Sequence, residues 1–278
     1  MVSEPGTLFI SRLHRSHSRT GAGPSGLVAA KTLLHNAPQG EFRVTVFDAQ
    51  HDIGGLWPVS KEDTGRQVHP LMVANQSRHT VHFSDMAWEE GEAPHFPVGW
   101  QVGQYLKRYT DKYLTGREGF ELKLKTKIVR ANPDGKGWDV SSTSEEGGRE
   151  TSRFEYLLVA TGFFGEPIIP KPLQRPAKVP VIHSSAYRDL EGLLGKGNPG
   201  GGKILVVGGQ MSGVEIAGTI GSHLSAAANS PEPSGIEGIE KYTIHHVVQR
   251  PIWVFPLFTS PEVRKINLLL SSRGRIFN

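Results

Sequence analysis

Residues 21–34, GAGPSGLVAAKTLL, set a glycine-rich turn against a run whose apolar positions Leu27, Ala30 and Leu34 recur at helical spacing. Residues 44–47, VTVF, are β-branched and aromatic, and they end on Asp48. Glycine turn, helix and strand in that order make most of a nucleotide-binding unit. Gly21 permits the tight turn, Gly23 lets the backbone approach a pyrophosphate, and Gly26 allows close helix–strand packing. Meanwhile, the helix N-terminus faces negative charge. Asp48 lies 22 residues beyond Gly26, close to the roughly 20 at which an acid meets a ribose hydroxyl. The bland alternative is an ordinary glycine turn.

The strand that should lead into this turn is not where the pattern wants it. HRSHSRT at 14–20 cannot form a buried parallel strand, and Leu8, Phe9 and Ile10 are apolar but stand ten residues too early. The expectation is therefore an atypical segment over 1–20 that lacks the first strand. Residues 49–99 have little periodicity and many Gly, Pro and His, yet hold Leu56, Trp57, Leu71, Met72, Phe83, Met86 and Trp88, which marks a structured excursion. Residues 100–114 place Val102, Tyr105, Leu106, Tyr109 and Tyr113 on one helical face. Leu122, Leu124, Thr126 and Ile128 then alternate. Trp138, Val140, Phe154 and Tyr156 extend that alternation into a small antiparallel meander, with SSTSEEGGRE at 141–150 as its hairpin loop. YLLVA at 156–160 reads as a buried strand that stops at Thr161-Gly162.

After a proline-rich crossover the same unit recurs. KILVV at 203–207 is a strand, GGQMSG at 208–213 a glycine turn, and Val214, Ala217, Ile220 and Leu224 mark a helix. Gly208, Gly209, Ser212 and Gly213 are the candidate contacts to a second nucleotide. Gln210 replaces the middle glycine and hinders the closest backbone approach, so a purely structural turn stays open. Residues 225–240 read as an exposed loop before a strand over 242–249. Arg250 follows that strand and suits the 2′-phosphate of NADP, with an ordinary surface arginine as the alternative. The expected organisation is α/β: a first nucleotide domain over 21–165, a crossover linker over 166–202, and a second nucleotide domain over 203–278.

Composition narrows the chemistry. Among 278 residues there is no cysteine, which excludes disulfide scaffolds, thiolate metal sites and redox through a cysteine pair. Any redox chemistry then rests on a bound cofactor. The formal charge of +4 is interspersed and gives no case for nucleic acid. The longest apolar run, residues 251–258, is eight long, against the roughly 18 of a membrane-spanning helix. The chain reads as soluble and cytoplasmic, with the Arg-, Ser- and His-rich stretch 11–20 leaving a mitochondrial leader as the alternative. Residues 197–203 nearly spell a phosphate-binding loop, but Ile204 stands where Ser or Thr must ligate magnesium. Twelve histidines show no metal-ligand spacing, and no nucleophile turn supports hydrolysis.

Several stretches resemble the flavin-containing monooxygenases of fungal type. GAGPSGL at 21–27 is similar to their FAD turn, and Gly54-Gly55-Leu56-Trp57 to their G-G-x-W. The stretch from Asn75 to Phe83-Ser84-Asp85, Gln101-Val102 with Tyr105-Leu106, and Val159-Ala160-Thr161-Gly162 also match family segments. So do His183-Ser184-Ser185-Ala186-Tyr187, GGQMSGVEIA, and Arg250-Pro251-Ile252-Trp253 with Pro256. Ala177 and Val179 depart from the family's Phe and Gly. Tyr187-Arg188 stands where Baeyer–Villiger relatives carry Trp-Pro, which favours the N- and S-oxidising branch.

The resemblance implies a two-dinucleotide-binding flavoprotein, with a Rossmann-like FAD domain carrying a β-meander and a nested NADPH domain. It implies that NADPH reduces FAD, that the flavin takes up O₂ as a C4a-hydroperoxide, and that an oxygen passes to a small substrate's amine nitrogen or sulfur. FAD would be held by Gly21, Gly23, Pro24, Ser25, Gly26, Asp48, Leu56, Trp57, Thr161 and Gly162. NADPH would be held by Gly208, Gly209, Ser212, Gly213 and Arg250. Asn75 is the catalytic candidate near the flavin and nicotinamide, with a loop Asn bonding its own backbone as the alternative. His183 is expected to order the crossover. Family members continue past the NADPH domain to complete the FAD domain, so the resemblance also implies an incomplete chain. Two further readings stay open: a non-catalytic nucleotide-binding remnant and a flavin-dependent amino-acid N-hydroxylase.

Overall fold

The computed structural model describes residues 6–10 (backbone only), 21–162, 164, 167–174, 179–195, 200–232 and 235–249. The chain divides into two compact units, Met1–Arg188 and Asp189–Asn278.

The first unit is built on a parallel sheet of four strands in the order β3-β2-β1-β7. They are β1 (Gly6–Ile10), β2 (Phe42–Phe47), β3 (Phe120–Lys123) and β7 (Tyr156–Leu158). The expectation that the first strand is missing is corrected here. Gly6–Ile10 occupies the centre, with Leu8 paired to Val44 on one side and to Tyr156 on the other. A strand need not adjoin its glycine turn to serve it, and parallel pairing ties Gly6–Ile10 to β2 along its length and Leu8, Phe9 and Ile10 to β7 as well. Residues 11–20 lie outside the described residues.

Helix α1 (Pro24–Asn36) buries Gly26, Leu27, Ala30 and Leu34, the face its spacing predicts. Between β2 and β3 runs the long excursion, closed by helix α2 (Gly99–Tyr113). Tyr105, Leu106 and Tyr109 of α2 join Leu27, Val44 and Val46 in one core. The helix lies so close to the excursion that a Cβ at Gly103 would stand 2.0 Å from the Pro58 carbonyl oxygen.

The alternation from Leu122 to Ile128 is not one strand, as the sequence suggests. Lys125 adopts φ 51°, a left-handed turn that splits it. The first half becomes β3 and joins the parallel sheet, with Val44 opposite Phe120. The second half begins β4 (Thr126–Pro133), which pairs antiparallel with β5 (Trp138–Ser144), and β5 pairs antiparallel in turn with β6 (Arg149–Phe154). A meander is expected here, but its parts shift: of the stretch 141–150 read as hairpin loop, residues 141–144 belong to β5 and 149–150 to β6, which leaves 145–148 as the turn, and Tyr156 belongs to β7 of the parallel sheet. The meander is fastened to the parallel sheet by a second cluster of Phe47, Ile128, Val140 and Phe154, in which the Phe47 and Phe154 rings meet edge to face at 6.2 Å. The strand read over 156–160 is shorter than expected and ends at Leu158.

In the second unit, α3 (Leu190–Leu194) precedes β8 (Gly202–Val207), α4 (Met211–Ala228) and β9 (Tyr242–Val247). Strands β8 and β9 are parallel, with Ile204 opposite Ile244. Alternation buries Ile204 and Val206 of β8, and Ile220 and Leu224 of α4 are buried too. Two sequence boundaries shift: α4 runs on through residues 225–228, read as loop, and β9 stops at Val247, not 249. An Ala-rich run propagates a helix once it has started.

Close packing makes Gly213 sterically obligatory, because a Cβ there would stand 1.9 Å from the Gly208 carbonyl oxygen, whereas Gly218 on the same helix has nothing within 4 Å. Gly213→Ala is expected to destabilise the second unit by about 1–3 kcal/mol through overpacking. Gly218→Ala should stabilise it by roughly 0.5–1 kcal/mol through helix propensity. Denaturant midpoints of the two variants check this; shifts of the same sign would refute the close contact.

Candidate functional site

The carboxyl ends of β1, β2 and β7 share one edge of the parallel sheet, and the glycine turn of residues 21–26 lies there. In an open α/β sheet this edge is where ligands bind. Gly21, Ala22, Gly23 and Gly26 are buried, and α1 starts without a side-chain cap and without an acid in its first turn. The first amides of the helix are thus left for an outside partner.

Asp48 closes the turn from the end of β2. Its side chain is 2% exposed. One carboxylate oxygen accepts the N–H of Gly21 at 2.9 Å and of Ala22 at 2.8 Å; the other accepts Gln50 N–H at 2.9 Å. The residue expected to meet a ribose therefore also braces the turn.

The Gly54-Gly55-Leu56-Trp57 loop lies directly on the turn. Gly54 N–H donates to Ala22 C=O at 2.9 Å, and a Cβ on Gly23 would stand 3.5 Å from Gly55 Cα. Gly54 has φ +108° and little room for a side chain, since a Cβ would meet the Trp57 carbonyl oxygen at 2.8 Å. The N–H groups of Gly55 and Leu56 find no acceptor among the described residues. A buried glycine amide with no acceptor among the described residues, beside an uncapped helix start, can receive an anion.

Sequence reasoning missed Arg66, the largest fully buried side chain among the described residues. It donates to the carbonyls of Gly55 (2.8 Å), Asp52 (3.0 Å) and Ile53 (3.2 Å), and its Nε meets Asp63 at 3.2 Å. An arginine in a polar loop carries no periodic signal that separates it from a solvated one.

The other expected residues fall as follows. Thr161 and Gly162 leave the same sheet edge just after β7, Thr161 half-buried and Gly162 exposed. Leu56 and Trp57 are half-buried, and Trp57 packs on the main core. Asn75 is exposed in the excursion, and no hydrogen bond joins it to another described residue. The Phe83-Ser84-Asp85 segment is pinned by the tyrosine face of α2: the Tyr105 hydroxyl accepts Phe83 N–H at 2.8 Å and donates to Met86 C=O at 2.6 Å, and the Tyr113 hydroxyl donates to Asp85 C=O at 2.7 Å. Burial alone would raise the Asp85 carboxyl, but the paired Lys31 ammonium and the Tyr109 hydroxyl outweigh it and hold it below the ordinary range. His183 caps the short turn after it by accepting Ser185 N–H at 3.2 Å.

In the second unit Gly208, Gly209 and Gln210 join β8 to α4, whose start is likewise uncapped and free of acids. Gly208 is held by Val247 C=O at 3.0 Å, and its own carbonyl meets His246 Nε2 at 2.7 Å. Ser212 is exposed at the first turn of α4. Arg250 lies outside the described residues. Among the described residues no group of His, Asp or Glu could hold a metal ion, and no helix is long and apolar enough to cross a membrane.

Two strand–glycine turn–helix units, the first with a β-meander, define a dinucleotide-binding α/β protein of two-nucleotide plan. Residues 17–230 match the model of the flavin-binding monooxygenase-like family, and the chain belongs to that family. It is 27% identical to a thiol-specific monooxygenase of Saccharomyces cerevisiae over 217 residues, which are 76% of this chain and 48% of that protein. Among solved structures it shares the fold of the S-allyl-L-cysteine S-oxygenase from Allium sativum, with TM-score 0.58, 21% identity, and coverage of 86% of this chain and 55% of that one. It likewise shares the fold of Tmm from Pelagibacter sp. strain HTCC7211, with TM-score 0.59, 18% identity, and coverage of 87% and 55%. The chain thus spans about half the length of the relatives it matches.

Burial raises the Asp48 carboxyl above its ordinary 3.8, against the lowering effect of the Gln50, Ala22 and Gly21 amides and the Arg66 charge. The folded chain then keeps this proton to higher pH than the unfolded chain does. The stability Asp48 contributes is complete below 3.8 and is lost as pH rises through the folded value. The denaturation midpoint of the wild type relative to Asp48→Asn is expected to fall as pH rises from about 3 to about 7. A pH-independent difference would refute the raised value.

Proposed function

We propose that this chain carries the nucleotide-binding machinery of an FAD- and NADPH-dependent monooxygenase that oxygenates soft nucleophiles, an amine nitrogen or a sulfur, with O₂ as the other substrate. The observation that carries the reading is the cradle at the first sheet edge. An uncapped helix start, the buried Gly23 and the Gly55 and Leu56 amides, which no described residue accepts, lie together there, which suits a pyrophosphate. The names of relatives add the substrate class, since one is a thiol-specific monooxygenase and another a trimethylamine monooxygenase.

In this reading the FAD pyrophosphate is held by Gly21, Gly23, Pro24, Ser25 and Gly26, with the lone pairs left on Asp48 for the ribose. Leu56, Trp57, Thr161 and Gly162 flank the cofactor, and exposed Asn75 offers its amide to the reacting edge. Gly208, Gly209, Ser212 and Gly213 take the second nucleotide. The flavin, when bound, supplies the electron transfer and oxygen activation; the protein binds, orients and excludes water.

Expressed and purified, the chain is expected to be yellow, absorbing near ~450 nm as bound flavin does, and to consume O₂ with NADPH faster when a thiol or tertiary amine is added. A colourless protein that takes up no added FAD would overturn the reading. Arg250 is assigned to the 2′-phosphate of NADPH. Arg250→Ala should lower the ratio of kcat/KM for NADPH over NADH by about tenfold or more, the loss of one charge-assisted phosphate contact; an unchanged ratio would remove Arg250 from the site.

A further inference from the structure

We propose that Arg66 is a positioning residue for the flavin cofactor, acting through the 52–56 backbone: it fixes the peptide groups whose amides complete the cradle. The inference rests on the FAD reading above and adds a residue that the motifs do not contain.

A guanidinium 1% exposed is costly unless its donors are matched. Here three of its bonds go to carbonyls of residues 52, 53 and 55, within one four-residue stretch, and a fourth goes to the Asp63 carboxylate. Peptide planarity makes this directional. In a trans peptide the C=O and the following N–H point opposite ways, so a carbonyl drawn to Arg66 turns its amide away from it.

The peptide joining Ile53 to Gly54 gives its carbonyl to Arg66 and its N–H to Ala22 C=O, the floor of the glycine turn. The peptide joining Gly55 to Leu56 gives its carbonyl to Arg66 at 2.8 Å and presents an N–H that no described residue accepts. Arg66 therefore stands one peptide group from the turn and one from an open donor beside it. Its positive charge also acts on Asp48, the acid that braces the same turn.

A second arginine secures the first. Arg188 donates to the carbonyls of Arg66 and Thr64, each at 2.9 Å, and to those of Ser185 and Tyr187 at 2.8 and 2.7 Å. The backbone that carries Arg66 is thereby tied to the 183–187 segment. Lysine cannot replace either fork, because an ammonium lacks the planar set of five donors.

The test compares the wild-type chain with Arg66→Lys, Arg66→Ala and Arg188→Lys. FAD affinity is read by flavin fluorescence well below the unfolding midpoint, so that only folded protein is counted, and the midpoint itself is recorded without FAD. Arg66→Lys is expected to bind FAD at least about tenfold more weakly while still unfolding cooperatively. Added methylguanidinium should restore affinity to Arg66→Ala, which a merely stabilising role would not produce. FAD affinity within twofold of wild type in a folded Arg66→Lys overturns the proposal. Should both Arg66 variants fail to fold, Arg188→Lys decides: a comparable loss supports the proposal and affinity within twofold overturns it. A wild-type chain that binds no FAD fails differently, since it removes the function reading itself.

Discussion

Two backbone amides, those of Gly21 and Ala22, donate to one carboxylate oxygen of Asp48, and the edge of the first sheet is organised around that pair of bonds. A tight glycine turn leaves N–H groups without helical partners, and burying them unpaired would cost about 1–3 kcal/mol each. The parallel sheet solves this by ending β2 on an acid that reaches back across the edge. Because the acid accepts from the first two amides, it leaves the amides at the start of α1 without a side-chain cap. A turn that satisfied all its donors internally would have nothing to offer an anion.

The same economy of donors explains the loop that covers the turn. Gly54 tolerates its positive φ and its approach to the Trp57 carbonyl only as glycine, and this brings its N–H to Ala22 C=O. Backbone lies so close on backbone that a Cβ on Gly23 would stand 3.5 Å from Gly55 Cα, which makes one continuous surface of two segments about thirty residues apart in sequence. Helix α2 supports that surface from behind, since Gly103 lets it touch Pro58, and its tyrosines fasten the Phe83-Ser84-Asp85 segment.

Much of this was legible in the sequence. Leu27, Ala30 and Leu34 mark the buried face of α1, Val102 to Tyr109 that of α2, and GGQMSG a turn whose last glycine admits no Cβ. What escaped did so for physical reasons. Strand β1 is only five residues long and stands apart from the turn it serves, so a rule of adjacency misses it, although GTLFI is plainly strand-like. The split between β3 and β4 turns on one left-handed residue, Lys125, a conformation that lysine seldom adopts. Arg66 is hidden because burial of a charge is set by where carbonyls converge in space, and these come from residues more than ten positions away. Arg188 was visible only as a departure from a relative's Trp-Pro; its place beneath Arg66 follows from the fold alone.

The two glycine turns share a plan but differ in enclosure, and the difference bears on what each can hold. The first is buried at Gly21, Ala22, Gly23 and Gly26, braced by Asp48 and roofed by the 54–57 loop. The second exposes Gly208, Gln210 and Ser212, and its fixed points are Gly208 with β9 and Gly213 with Gly208. A preformed, enclosed cradle loses little freedom when its ligand enters, which favours tight and lasting occupancy. An open turn with a glutamine in place of the middle glycine would hold a ligand more weakly and release it more readily. Under the proposed function, the cofactor kept through many cycles would suit the first turn and the one exchanged at each cycle the second.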